Sequence, residues 1–411
     1  MKHAKFGAVA ALIISMTSGA AFAGCGIESG SIRILSNDFP ALHAVVDMAE
    51  TCAGDGVEFS KNHTADHEKI QVPAQTANPA EYTGVIIANS SLVPLMNDGL
   101  VRPLDDLIAK YGGDIQESQK IRINGKVMAV AFMANTQHMY YRADVLKAAG
   151  VGVPSTYEEV LEAAEAIKSA GLMDHPLTGS LLAGWQIAEE FVNMYLGHGG
   201  EFFVPGSAAP SINNAQGIAS LEMMKALSAY MNPDFLTYDT NAIQADWEVG
   251  NAAIGNIWGS RAGALLDDEG STAEIVANTM LAAAPTVGGG SIPATTLWWD
   301  GFTIATNISD EDAEATFRAM VVGVSTEMAL ANADQAAWLI AGVDPQPTSV
   351  GISLTASAGA KPYPMLPYMG ILHTALGNEL VDFMQGNESA ADALAGTEAA
   401  YISAAKEAGF L

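Results

Sequence analysis

The chain has 411 residues, is 49% hydrophobic and carries a formal net charge of −28 at pH 7. That length and apolar content exclude a disordered chain and point to a globular protein of about two domains. The charge argues against a nucleic-acid or anionic-membrane binder, because so negative a surface repels both.

In chain order the first segment reads as a secretory signal over residues 1–23. Lys2 and Lys5 are followed by the apolar "FGAVAALIISM", and Ala21 and Ala23 occupy the two small-residue positions of a cleavage site. The expected location of the mature protein is therefore the periplasm. The apolar run is shorter than the ~20 residues of a membrane span, and no other stretch reaches that length. The two cysteines, Cys25 and Cys52, predict one disulfide near the mature N-terminus. A competing expectation is a lipid anchor on Cys25, which follows Ala-Gly in "FAGC"; that would leave Cys52 unpaired.

"SIRILS" reads as a strand, and "FPALHAVVDMAETC" as a helix with Leu42, Val45, Val46 and Ala49 on its apolar face. "YTGVIIANSS" is a second strand entering a polar loop. "LVPLMNDGLVRPLDDLIAKYG" reads as two helices around Gly99 and Pro103. "STYEEVLEAAEAIKSAG" is the clearest helix, with Ser155 or Thr156 as cap, an acid three residues on, and Gly171 as its stop. Alternation of strand, polar loop and helix gives the α/β class.

The sequence has no GxSxG, CxxC, HExxH or P-loop motif, and predicts neither catalysis, cofactor nor metal. His63 and His67 in "HTADHE" are read as polar surface residues. Glu189 and Glu190 are adjacent, hence about 100° apart on a helix, and do not form an acid/base pair across a cleft. Trp185, Trp258 and the pair Trp298–Trp299 each stand beside glycine, aspartate or a turn, a setting suited to stacking on a sugar; Trp338 sits in a helix-like run and reads as core.

The segment "NGKVMAVAFMANTQHMYYRADVLKAAGVGVPSTYEEVLEAAEAIKSAG" resembles the central part of family 1 extracellular solute-binding proteins, the sugar receptors of ABC importers. "GLVRPLDDLIAKYG", "VGNAAIGNIWGS", "WWDGFTIATN" and "KPYPMLPYMGILHTAL" resemble further family segments in the family's order. The resemblance implies a two-lobed α/β periplasmic-binding-protein fold of type II kind with a hinge between the lobes. It places residues 24–134 plus about 302–345 in the first lobe, and 135–301 plus about 346–411 in the second. The implied crossovers are 133–137, 300–303 and "GVDPQPTSVG". It also implies a monomeric binder that delivers a small-molecule sugar to permease subunits. Carried over position by position, the implied ligand residues are Asn37, Asp38, Asn89, Ser90, Asn135, Trp185, Trp258, Trp298, Trp299, Asp300, Gly301 and Tyr368. Arg261 is divided between ligand contact and a surface or ion-pair role. One tryptophan of the 298–299 pair is expected in the cleft and the other in the core. A sugar acid, sulfonated sugar, polyol or quaternary ammonium ligand on the same fold is the alternative, and an exported glycoside hydrolase the alternative of another class.

Overall fold

A computed structural model describes residues 24–411; the expected signal segment 1–23 lies outside the described residues. The strands are β1 (Gly30–Ser36), β2 (Val57–His63), β3 (Gly84–Ala88), β4 (Lys120–Ile123), β5 (Lys126–Arg142), β6 (Leu177–Gly179), β7 (Ile254–Trp258), β8 (Thr279–Ala282), β9 (Thr296–Ile304), β10 (Ala337–Trp338) and β11 (Lys361–Pro362). Seven of them run in the order β2-β1-β3-β9-β5-β7-β6, while β4, β8 and β10 pair with β5 and β11 pairs with β9. β1 is parallel to β2 and β3, whereas β9 runs antiparallel to both β3 and β5. On the other side of β5, β7 is antiparallel to β5 and parallel to β6.

Two cores hang on this sheet. Ile32, Ile34, Val130, Phe302 and Phe317 build the first under the helices Pro40–Glu50 and Asp310–Gly323, and Leu35, Val85 and Ile87 close its opposite face. Met139, Phe191, Ile254 and Leu376 build the second, with Tyr140, Trp247 and Ile257 on its far face. Helices therefore cover both faces of both halves, which explains why the apolar run of β5 is nearly continuous rather than alternating. β5 is 17 residues long and serves both halves: Val130–Thr136 pair with β9 and Gln137–Tyr141 with β7. It begins with a two-residue hairpin in which Asn124 (φ 51°) and Gly125 (φ 80°) both take the left-handed conformation, the reason for "NG" there.

Several local expectations meet their geometry. Thr156 caps the helix Tyr157–Ser169 by accepting from the Glu159 N–H, while the Glu159 carboxylate accepts from the Ser155 N–H at 2.7 Å. Cys25 and Cys52 are joined by a disulfide with 5.2 Å between Cα atoms. Trp338 is not helical. It lies in the short strand β10 opposite Met133, and its indole N–H donates to the Asn332 carbonyl (2.8 Å). His67 is not a surface residue: it is buried, and burial lowers its pKa to about 4.

Candidate functional site

The sheet face at the junction of the two cores is set by register. Asn135 of β5 stands opposite Trp298 of β9, and Gln137 stands opposite Trp258 of β7. Residues two apart share a face, so Trp258 and Trp298 flank β5 on one side of the sheet. Trp185, the first residue of the helix Trp185–Gly197, completes a cluster. Its ring lies 5.7 Å from Trp298 and 6.5 Å from Trp258, and Trp258 meets Trp298 edge-on at 5.8 Å. Tyr363 covers Trp298 at 4.5 Å. His373 orders this wall: its Nε2 donates to the Trp185 carbonyl (2.8 Å), so its Nδ1 accepts from the Tyr363 hydroxyl (2.9 Å). Burial holds its pKa down at about 4, consistent with the neutral ring that this pattern requires.

The tryptophan pair divides as alternation demands. Trp298 is buried among the second core and the aromatic cluster, while Trp299 points to the opposite face and packs against the core of Leu35, Val85 and Ile87 on the first half. Along the Trp298 face, Phe302 already belongs to the first core, and Asp300 stands between the two. Burial, and secondly the nearby Glu68 carboxylate, push the Asp300 pKa up to about 7. Glu68 accepts from the Ser90 hydroxyl (3.1 Å), and its own pKa is raised by burial.

Two more acids enter from the helix Trp185–Gly197. Glu190 accepts from the Gln137 amide (2.7 Å), and burial pushes its pKa up to about 8. Glu189 Oε1 sits 2.5 Å from the Thr296 hydroxyl and 3.2 Å from the Trp298 indole nitrogen. The same hydroxyl lies 2.7 Å from the Asn193 carbonyl oxygen. The Trp298 indole N–H also donates to this hydroxyl (2.7 Å). Burial, with the neighbouring Glu190 and Glu68 adding to it, raises the Glu189 pKa well above the usual range. Behind this wall, Met139, Met194, Met224, Met231, Glu190 and Asn256 line part of a cavity of about 50 Å³ inside the second half. That is room for a few waters, and Asn256 Oδ1 has no partner of its own.

Four of the expected ligand residues have other work. Asn89 is fully buried, and its amide clamps β9 by donating to the Leu297 carbonyl (3.0 Å) and accepting from the Trp299 N–H (2.9 Å). Asn135 accepts from the Ser260 N–H (3.1 Å) and donates to the Ser260 hydroxyl (3.2 Å), tying β5 to the turn after β7. Gly301 is an absent side chain: a Cβ there would lie 2.6 Å from the Val130 carbonyl oxygen. Tyr368 donates to the Ser207 carbonyl (3.2 Å) and packs on Phe203 and Phe410, away from the tryptophan cluster. Arg261 donates to the Gln244 side chain (3.1 Å) near Asp239 and Glu248, the second of the two roles expected for it. Asn37 and Asp38 follow β1. The Asn37 side chain accepts from the Asp38 N–H (2.8 Å), and Asp38 is exposed and pairs with His43 (2.8 Å). Ser90 follows β3 and is spent on Glu68. The strand ends of β1 and β3 open toward the junction, as ligand-binding crevices of α/β sheets do.

Sequence reasoning missed Glu68, Glu189, Glu190, Tyr363 and His373. The readable signal was "WQIAEEFVNMYLG": two acids inside an otherwise apolar helix are buried acids.

Residues 57–322 match the family model described as bacterial extracellular solute-binding protein. A probable ABC transporter-binding protein of Deinococcus radiodurans is 27% identical over 262 residues, 58% of this chain. The chain spans 60% of the length of that curated relative. Maltose-bound MalE3 of T. maritima has a TM-score of 0.79 at 18% identity, over 92% of this chain and 100% of that one. A solute-binding protein of Agrobacterium radiobacter K84 in complex with ribitol has a TM-score of 0.79 at 19% identity, over 93% and 99%. At such identities these two structures speak for the shared fold, in which two α/β lobes face each other across a hinge.

Proposed function

The chain belongs to the bacterial extracellular solute-binding protein family, and from that premise we propose that it captures a sugar-type ligand between its lobes and presents it to the permease of an ABC importer. The observation that carries this reading is the cluster of Trp185, Trp258 and Trp298 at the lobe junction, bordered by carboxyl and amide groups. Flat indole faces cover the apolar CH surface of a sugar ring, and the bordering acceptors take its hydroxyl protons. Of the implied ligand residues, Trp185, Trp258, Trp298 and Asp300 remain the proposed contacts, with Asn37, Asp38, Ser90 and Trp299 at the rim. The maltose and ribitol carried by the two solved relatives are ligands of this chemical kind.

The proposed lobes are residues 24–134 plus about 302–345 and 135–301 plus about 346–411, a division that follows the two cores. The protein acts as a periplasmic monomer without catalysis. The engagement of the Cys25 sulfur with Cys52 favours the soluble form over a lipid-anchored one. The commitment of Arg261 to Gln244 disfavours a sugar acid or sulfonated sugar.

A thermal-shift screen against monosaccharides, oligosaccharides, polyols, uronates and betaines tests the reading. A true ligand at about 100 times its Kd adds about 2.7 kcal/mol of stability. A screen in which no sugar or polyol raises the melting temperature sinks it, as does turnover of a chromogenic glycoside that copurifies with the protein.

A further inference from the structure

The lobe junction gathers carboxyl groups that no cation of the protein answers. Among the described residues, none of Glu68, Asp300, Glu189 and Glu190 takes part in an ion pair. Glu68 has one partner, the Ser90 hydroxyl. Asp300 stands in the gap between the cores beside Glu68. Arg261, which would be the obvious counterion, turns to Gln244 instead.

A second, independent feature is an open acceptor. Glu189 is 1% exposed; its Oε1 is held by Thr296 and Trp298, and its Oε2 has no partner. A buried acceptor without a donor is destabilising, and this one adjoins the tryptophan cluster. Closing the lobes removes water from like charges, which raises their mutual repulsion. Burial raises the pKa values of Asp300 and Glu68, and for Asp300 the nearby Glu68 adds to it, so a cation beside them would favour their ionised forms. A neutral sugar brings donors but no charge. A ligand with an ammonium group brings both, and the tryptophan faces attract it as well.

We propose that the ligand taken in this cleft is positively charged, an aminated sugar whose ring stacks on Trp185 and Trp258 and whose ammonium group faces Glu68 and Asp300. This rests on the reading of the cleft as a sugar site.

Calorimetric titration of the mature protein at pH 7.5 tests it with matched probes: glucose, glucosamine and N-acetylglucosamine, the corresponding β-1,4 disaccharides, and choline as a cation without a sugar ring. The expected result is an amine that binds at least tenfold tighter than its neutral and N-acetylated counterparts. Glu68→Gln and Asp300→Asn, each checked for a native circular-dichroism spectrum, should each shrink that advantage severalfold. A neutral sugar that binds as tightly as its amine overturns the charge inference and leaves the sugar reading standing. Binding of choline with none of any sugar supports the charge inference and overturns the sugar reading. No binding of any probe overturns the charge inference while the wider screen decides the sugar reading, and an amine advantage untouched in both variants overturns the assignment of the ammonium site.

Discussion

Trp258→Ala separates a stacking tryptophan from a core one. The indole stands edge-on to Trp298 with 5.8 Å between ring centroids and tilted to Trp185 at 6.5 Å, and it is only partly buried. Truncating a fully buried tryptophan costs about 3–5 kcal/mol. With part of the ring open, and two aromatic contacts worth about 0.5–1.5 kcal/mol each, the expected loss of stability is about 2 kcal/mol. Affinity should fall further in relative terms. Losing one apolar ring face of contact removes about 1.5–3 kcal/mol, roughly ten- to a hundredfold in Kd. Trp247 supplies the internal control: it is 1% exposed, its N–H donates to Thr279 (3.0 Å), and it lies on the far face of the second lobe. Trp247→Ala should cost about 3–5 kcal/mol and leave affinity unchanged. Urea melts of both variants, with calorimetry against the best ligand of the screen, read the two quantities. If Trp258→Ala destabilises as much as Trp247→Ala while affinity stays the same, Trp258 is core and the junction is not the site.

Three other outcomes follow from the same geometry. Gly301→Ala places a Cβ 2.6 Å from the Val130 carbonyl and 2.9 Å from the Ala131 Cα, both backbone, so about 1–3 kcal/mol of stability should be lost; an unshifted urea midpoint refutes the close approach. Unfolded, unreduced protein should show no free thiol, and Cys52→Ser should cost about 3.5 kcal/mol for a separation of 27 residues; two titratable thiols, or a lipid on Cys25, would overturn the pairing. Asp300 (about 7) and Glu190 (about 8) have folded-state pKa values above their unfolded ones. The folded state then binds more protons between pH ~4 and ~8, so stability of the ligand-free protein should fall as pH rises through that window. Glu190→Gln, still able to accept from Gln137, should flatten the decline by on the order of 1 kcal/mol across the window; a melting temperature that rises with pH contradicts it.

The architecture was legible because its signals are local and periodic. The strand and helix patterns at "SIRILS", "FPALHAVVDMAETC" and "STYEEVLEAAEAIKSAG" appear as Gly30–Ser36, Pro40–Glu50 and Tyr157–Ser169. Of the tryptophans beside turns, Trp185, Trp258 and Trp298 meet in one cluster, while alternation on β9 turns Trp299 to the other face. What composition and spacing cannot tell is where an amide or carboxyl finds its partner. Asn89 and Asn135 look like ligand residues by position, yet they satisfy the backbone of β9 and of the turn after β7 across 208 and 125 residues of sequence. Glu189 and Glu190 read as ordinary helical acids until the apolar residues around them are counted. Trp338 reads as helical because nothing nearby announces that β5 needs a partner there.

β9 is an interior strand of the sheet, between β3 and β5, yet it is supplied by residues Thr296–Ile304. The half of the sheet that carries β1 and β3 is therefore not a contiguous piece of chain. A chain that ends before Thr296 holds β3 and β5 with open edges facing each other across a missing strand, a template for pairing with other chains. Formation of the first lobe waits on a long-range closure whose entropy must be met before its contacts reward it. Fragments cut at the apparent lobe boundary should aggregate rather than fold, and the intact protein should unfold in a single cooperative transition despite its two cores.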